Sequence, residues 1–280
     1  MRQRLFKGTG HQSGFTLLEL LIVVIIISIL ASLLLSGLSK AKAKAQGIKC
    51  LNNTRQLMFA WHMYADDNAD RLVSSAAMPN GAEWDGGGWL DFSPDRPENV
   101  DPKVNLLAGP LGRYTSKTPG IWRCPADRSM VSFQGQRLPR VRSLSMQCWM
   151  GGPGWDLQGS GKEFTVFYKM AQIIDPDPSE AAVILDERED SIHDGCFFIP
   201  MDGYPDDPLQ WTIFKYPASY HNGAGGWGFA DGHAEIHKWL DPRTKPVLAP
   251  GKELELLVLS TNNVDVLWMQ QRATANLKLP

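Results

Sequence analysis

The chain has 280 residues, with 28 Lys+Arg against 30 Asp+Glu, a formal net charge of −2, 43% hydrophobic and 21% charged residues. This usage is ordinary for a globular protein of one or two domains, and it excludes a disordered tail, a collagen-like repeat and a basic nucleic-acid binder. Gly 26 and Pro 19 announce a loop-rich but folded body, and four Cys are too few for a disulfide scaffold.

Residues 1–14 carry Arg2, Arg4 and Lys7 and no acid, and from Phe15 to Leu35 the only charge in 21 residues is Glu19. As a helix at ~1.5 Å per residue this run is ~31 Å long, the thickness of a bilayer's hydrocarbon core. The basic flank is expected to stay cytoplasmic while the rest crosses. Two simpler readings compete, a secretory signal peptide and a plain signal anchor. A signal peptide has a shorter apolar core and ends at a small-residue cleavage site. Here the run flows into Ser36-Gly37-Leu38-Ser39 and an Ala/Lys stretch. Neither reading accounts for Glu19, because an ionisable group inside an apolar span is costly and marks function by default.

Gly14-Phe15-Thr16-Leu17-Leu18-Glu19-Leu20 resembles the type III signal sequence of type IV prepilins and type II secretion pseudopilins. The shared features are a short basic leader, Gly before the cut, Phe after it, Glu at the fifth mature position and an unbroken apolar run. The resemblance implies that prepilin peptidase, a membrane-embedded aspartyl enzyme, cuts after Gly14 and N-methylates Phe15. It also implies that Glu19 serves assembly by pairing with the amino terminus of a neighbouring subunit. Electrostatics agrees with this carry-over. A new α-amino group at Phe15 and the Glu19 carboxylate about one turn away each need a partner in lipid, and a staggered neighbour supplies it. Loss of the leader's three cations takes the net charge to −5.

The helix is expected to continue past the membrane, because residues 41–65 contain no Pro and one Gly, Gly47. Leu51, Met58 and Trp61, flanked by Leu57 and Tyr64, form one apolar stripe at helical spacing. Asp66-Asp67-Asn68-Ala69-Asp70 ends it. Gly37 and Gly47 are candidate bends. Lys40, Lys42, Lys44 and Lys49 lie just beyond the lipid and read as a solvated or headgroup-contacting face. Ser28, Ser32, Ser36 and Gly37 are small residues that permit close helix–helix approach.

Beyond residue 70 short apolar runs alternate with Gly, Pro and Asp turns. Candidate strands are 143–150, 164–170, 181–185 and 197–199. The clearest unit is a hairpin in which Asp231-Gly232 joins 226–230 to 233–239, the signal of a type I′ turn, with Trp227 and Phe229 on one face. His221 and Asp231-Gly232 are spaced as in the H-X9-DG element of a large group of bacterial prepilin-like proteins, which this segment resembles. Cys50-Leu51-Asn52-Asn53 with Gln56 and Leu57, and Trp122-Arg123-Cys124-Pro125-Ala126-Asp127, match other stations of that group, in order. Residues 260–272 predict a short helix capped by Asn.

Export places the head in a disulfide-permissive space. A Cys50–Cys124 bridge would pin the head to the stalk helix, against the alternative of two buried thiols. Cys148 and Cys196 lie in strand-like runs and are a second candidate pair. With no CxxC, a zinc ribbon has no sequence support. Asp66, Asn68 and Asp70 start like a calcium loop, but Arg71 stands at the sixth position and Ala77 at the twelfth, which leaves only a looser calcium site or a plain helix end. His221 reads as a structural clasp bonded to Asp231 or a backbone carbonyl, with a zinc site shared with His233 and His237 as the alternative. Trp84, Trp89 and Trp155 in Gly-rich loops are either core or an exposed platform for glycan or protein docking. The run from Asp186 to Asp190 reads as a solvated edge. The catalytic fingerprints G-x-S-x-G, H-E-x-x-H and the P-loop do not occur, so no enzyme is expected.

These readings add up to an α+β, lollipop-like pilin fold: a leader (1–14), a transmembrane and assembly helix (15–36), its continuation (37–68) and an exported head (69–280). The expected function is a structural subunit of a pseudopilus or pilus-like fibre in a secretion or adhesion system. The expected partners are prepilin peptidase, other pilin or pseudopilin subunits, an inner-membrane assembly platform and lipid, with no nucleic acid and no cofactor beyond the calcium candidate. The rival is a signal-anchored binding module that displays Trp-rich loops and never polymerises.

Overall fold

The computed structural model describes residues 16–76, 83–152 and 163–277. Contacts divide the chain into two compact units, Met1–Lys42 and Ala43–Pro280. The first helix, α1 (Leu17–Asp67), begins in the first unit and ends in the second, and it runs unbroken through Gly37 and Gly47. In the first unit the Leu, Ile and Val side chains from Leu17 to Leu35 are exposed. This stretch is long and apolar enough to cross a membrane. Its hydroxyls are engaged locally: Ser28 Oγ donates to Val24 O at 2.7 Å and Ser32 Oγ to Ile29 O at 2.8 Å, which leaves no unbonded hydroxyl at either position in an apolar medium.

Among its described residues the second unit contains the rest of α1, nine short strands and a second α-helix. In chain order these are β1 (Met130–Phe133), β2 (Gln136–Pro139), β3 (Leu144–Gln147), β4 (Ala182–Asp186), β5 (Cys196–Phe197), β6 (Thr212–Ile213), β7 (Ala224–Phe229), β8 (Ala234–Lys238), β9 (Val258–Leu259) and α2 (Val264–Gln270). The main sheet has the order β5-β3-β4-β7-β8. All its pairings are antiparallel except β3 with β5. β1–β2 and β6–β9 form two small ribbons. The α+β class read from the sequence is the class observed.

One face of the sheet packs on α1. Cys50, Thr54, Leu57, Met58, Trp61 and Ala65 are buried, at the spacing of a single helical stripe. The expected stripe is thus rotated slightly toward Cys50, with Leu51 and Tyr64 only half-buried. β7 makes room for the helix with glycine. A Cβ at Gly228 would lie 2.7 Å from Thr54 Cγ2 and 2.9 Å from Met58 Cγ. β4 aims two adjacent side chains, Val183 and Ile184, into the helix-side core, because its register against β7 shifts between Ala182 and Ile184, as a β-bulge does. Trp227 and Phe229 point the other way, as expected, into a second core with Phe197, Trp239 and Val266 and Met269 of α2.

Several expectations change. Residues 164–170 are not a strand, because their backbone bonds go to separate segments. Phe167 N donates to Trp149 O at 2.9 Å, Thr165 N to Ala275 O at 3.0 Å, and Tyr168 O accepts from Leu72 N at 2.9 Å. The β7–β8 turn is not a two-residue type I′ loop. Phe229 N bonds His233 O at 3.0 Å and Gly232 N bonds Phe229 O at 2.8 Å, with φ +93° at Gly232, which is a three-residue loop with Gly in the left-handed position. The run Asp186-Glu187-Arg188-Glu189-Asp190 is not a solvated edge, since all five residues are buried. Arg188 Nε and Nη2 each reach Asp190 at 2.7 Å, and Glu187 accepts from Ser145 Oγ at 2.6 Å and Ser191 Oγ at 3.0 Å. Trp84 is fully buried, its Nε1 bonded to Gly195 O at 3.0 Å, whereas Trp89 stays half-exposed and stacks on His193. Trp155 lies outside the described residues. The predicted terminal helix is α2, with Asn263 Oδ1 accepting from Asp265 N at 2.9 Å and Val266 N at 3.4 Å.

Candidate functional site

Two places carry more chemistry than the fold needs. The first is the start of α1. Thr16 N and Oγ1 donate to Glu19 Oε2 at 2.9 and 2.8 Å, and Glu19 N donates back to Thr16 Oγ1 at 3.2 Å. This is a capping box: a hydroxyl residue and a Glu three positions on satisfy each other's backbone N–H groups at a helix start, where those donors have no partner inside the helix. Glu19 therefore has a local task in the single chain. Gly14 and Phe15 lie outside the described residues.

The second place lies in the Ala43–Pro280 unit, between α1 and the sheet. Cys50 comes from the buried stripe of α1. Cys124 follows a 3-10 turn, Pro119–Trp122, and α1 grips that loop through Asn53 Nδ2 to Arg123 O at 2.9 Å and Gln46 Nε2 to Pro125 O at 2.9 Å. Asp186 closes β4. His221 stands in the turn before β7, its N–H bonded to Ala224 O at 3.1 Å. One atom from each of these four side chains lies within 4.8 Å of the other three, and all four residues are buried. Cys124 Sγ is 3.3 Å from His221 Nε2, Cys50 Sγ is 3.6 Å from Asp186 Oδ2, and His221 Nε2 is 4.0 Å from Asp186 Oδ2.

The surroundings orient each donor. Ser143 Oγ donates to Asp186 Oδ1 at 2.9 Å and accepts from Cys124 N at 2.8 Å. Ala126 N points at Cys124 Sγ at 3.4 Å. His221 Nδ1 is buried with no hydrogen-bond partner among the described residues, and Gly47 leaves room for the ring. Burial pushes the Asp186 carboxyl up to about 7 and the His221 imidazole down. Contact with Cys124 and burial push the Cys50 thiol well up. The contact with Cys50 lowers the Cys124 thiol, but burial and the Asp186 charge outweigh it.

The sequence expectations are met in part. Cys50 and Cys124 are adjacent, yet both are free thiols, and the disulfide is Cys148–Cys196 instead. His221 does not clasp Asp231. Asp231 Oδ1 bonds His233 N at 3.0 Å and lies 2.6 Å from His233 Nδ1. His233 stacks on Phe229 and His237 on Trp268, so neither joins His221. At the calcium candidates, Asn68 Nδ2 donates to Tyr64 O at 2.7 Å and Asp70 accepts from Ala171 N at 3.2 Å, while Asp66 is exposed. These contacts belong to the helix end. Asp186 was the residue that sequence reading missed as a partner of the cysteines, because its charged neighbours disguise it as surface.

Residues 10–35 match the family model of the prokaryotic N-terminal methylation motif. The chain thus carries a prepilin-type signal at the head of a long apolar helix, the feature that defines prepilin-like proteins. The match stops at residue 35 and leaves the rest of the chain unassigned. No curated protein and no solved structure matches the chain.

Proposed function

We propose that the chain is a structural pilin- or pseudopilin-like subunit, cut by prepilin peptidase between Gly14 and Phe15, methylated at Phe15 and assembled with other such subunits through its N-terminal helix. The observation that carries this reading is the methylation motif placed on an apolar helix of spanning length. Before assembly the helix sits as a single-pass anchor in the inner membrane, with the second unit exported. Inside the fibre the Glu19 carboxylate meets the amino terminus of an adjoining subunit, a pairing that fixes axial register because neither charge tolerates an apolar medium alone. The capping box with Thr16 supports the role, since it holds the carboxylate at the first turn, beside the cut. No catalytic step is assigned.

Mass spectrometry of the protein isolated from membranes tests the processing step. The expected N-terminal residue is methyl-Phe15, and a chain that still begins at Met1 overturns the proposal. Glu19→Ala is expected to be processed normally yet to drop out of sheared fibre fractions. Undiminished incorporation would remove the assembly role. Burial of Trp84 and of six of the other Trp residues weighs against the rival of an aromatic binding platform.

A further inference from the structure

Two thiols, an imidazole and a carboxylate converge from four separate segments onto one buried point. Among the described residues no Lys or Arg pairs with Asp186, although it is fully buried. A carboxylate buried in that position stays ionised only beside a compensating charge. The geometry supplies a place for one. Four-coordinate zinc has bonds of ~2.3 Å to sulfur and ~2.0–2.2 Å to nitrogen or oxygen, which makes the edges of the donor tetrahedron roughly 3.3–3.8 Å. The three observed separations, 3.3, 3.6 and 4.0 Å, bracket that range.

We propose that Cys50, Cys124, Asp186 and His221 form a closed, structural binding site for Zn2+. The donor types select the ion. Thiolates and imidazole are soft to borderline ligands, whereas calcium takes six to eight oxygens. One outer contact follows the pattern of built metal sites, in which the ligating carboxylate is itself hydrogen-bonded: Ser143 Oγ donates to Asp186 Oδ1. A disulfide between the two cysteines would use two of the four donors and leave Asp186 uncompensated. On binding, each thiol loses its proton to solvent and the sulfur lone pair forms the bond to the metal. The ion's two positive charges offset two of the three negative charges of thiolates and carboxylate. With all four positions taken by protein, no open position remains for a substrate or water, so the site ties α1 to the sheet rather than catalyses. This inference does not depend on fibre assembly.

The test uses the full chain purified in detergent. Metal analysis is expected to find about one zinc per chain, and cobalt substituted for zinc is expected to show thiolate-to-metal charge transfer and the intense ligand-field bands of a tetrahedral site. Cys50→Ser, Cys124→Ser and His221→Gln should each abolish that spectrum. Ser143→Ala should keep it and weaken affinity ~10–100-fold. If a ligand variant fails to fold, the cobalt spectrum of the unmodified chain decides alone. An oxygen-only cobalt spectrum, a chain that binds no zinc, or a native Cys50–Cys124 disulfide found by peptide mapping would each overturn the proposal.

Discussion

Gly228 lies under α1, where a side chain would run into Thr54 and Met58. Gly228→Val is expected to cost about 1–3 kcal/mol, since overpacking displaces Thr54 and Met58, and urea unfolding of the protein would measure it. His193 shows a different residue-scale effect. Burial, with the charges of Lys215 and Arg140 added, lowers its imidazole to about 4, although Asp194 opposes this. Its ring stacks on Trp89. Between about 4 and 6.5 the unfolded chain binds a proton at this residue that the folded chain refuses. Stability contributed by His193 is therefore present above pH 6.5 and lost as pH falls through that window. His193→Gln should remove this part of the pH slope. Melting temperatures of the two proteins compared from pH 7.5 to 4.5 check it, and parallel curves would refute it.

At the scale of elements, β4 and the turn after it explain why a charged run ended up inside. The strand is central in the sheet, with β3 on one side and β7 on the other, so the chain leaving its end is enclosed as well. Arg188 is held by Asp190 and Pro246 O, and Glu187 by Ser145 and Ser191. Asp190→Ala is expected to destabilise by about 3–5 kcal/mol, because it strands a buried guanidinium, whereas replacing both Arg188 and Asp190 with Met and Leu should cost far less. Chemical denaturation of the two variants separates these outcomes. Near-equal losses would show that the pair is not what holds the turn. α2 illustrates the opposite situation. Its Asn cap was readable from local sequence, and the structure reproduces it because capping acts within a few residues, whereas the face it buries, Asp265, Val266, Met269 and Gln270, was not.

At the scale of the molecule, the methylation motif and the zinc proposal occupy different units and obey different rules of legibility. A spanning helix with a basic flank and Glu19 is specified by consecutive residues, and so is its capping box. The class of fold, the end of α1 at Asp67, the α1 stripe and the β7–β8 hairpin were readable for the same reason: each is a repeat or a turn signal in adjacent positions. The four converging side chains were not. Cys50 and Cys124 stood out as a candidate pair and His221 as a clasp elsewhere, but only the packing of α1 on β4 and β7 brings all three together. Asp186 is recognisable as their companion only once its strand is central. Likewise, which cysteines join was decided by pairing: β3 and β5 lie side by side, which brings Cys148, just past β3, to a Cα–Cα distance of 5.4 Å from Cys196, while Cys50 and Cys124 are left as thiols. Local free energies of helix formation, capping and lipid transfer are additive along the chain, so sequence by itself determined the apolar helix of spanning length and its methylation motif. Burial, charge compensation and ligand geometry depend on residues that are distant in sequence, and those only the tertiary structure decided.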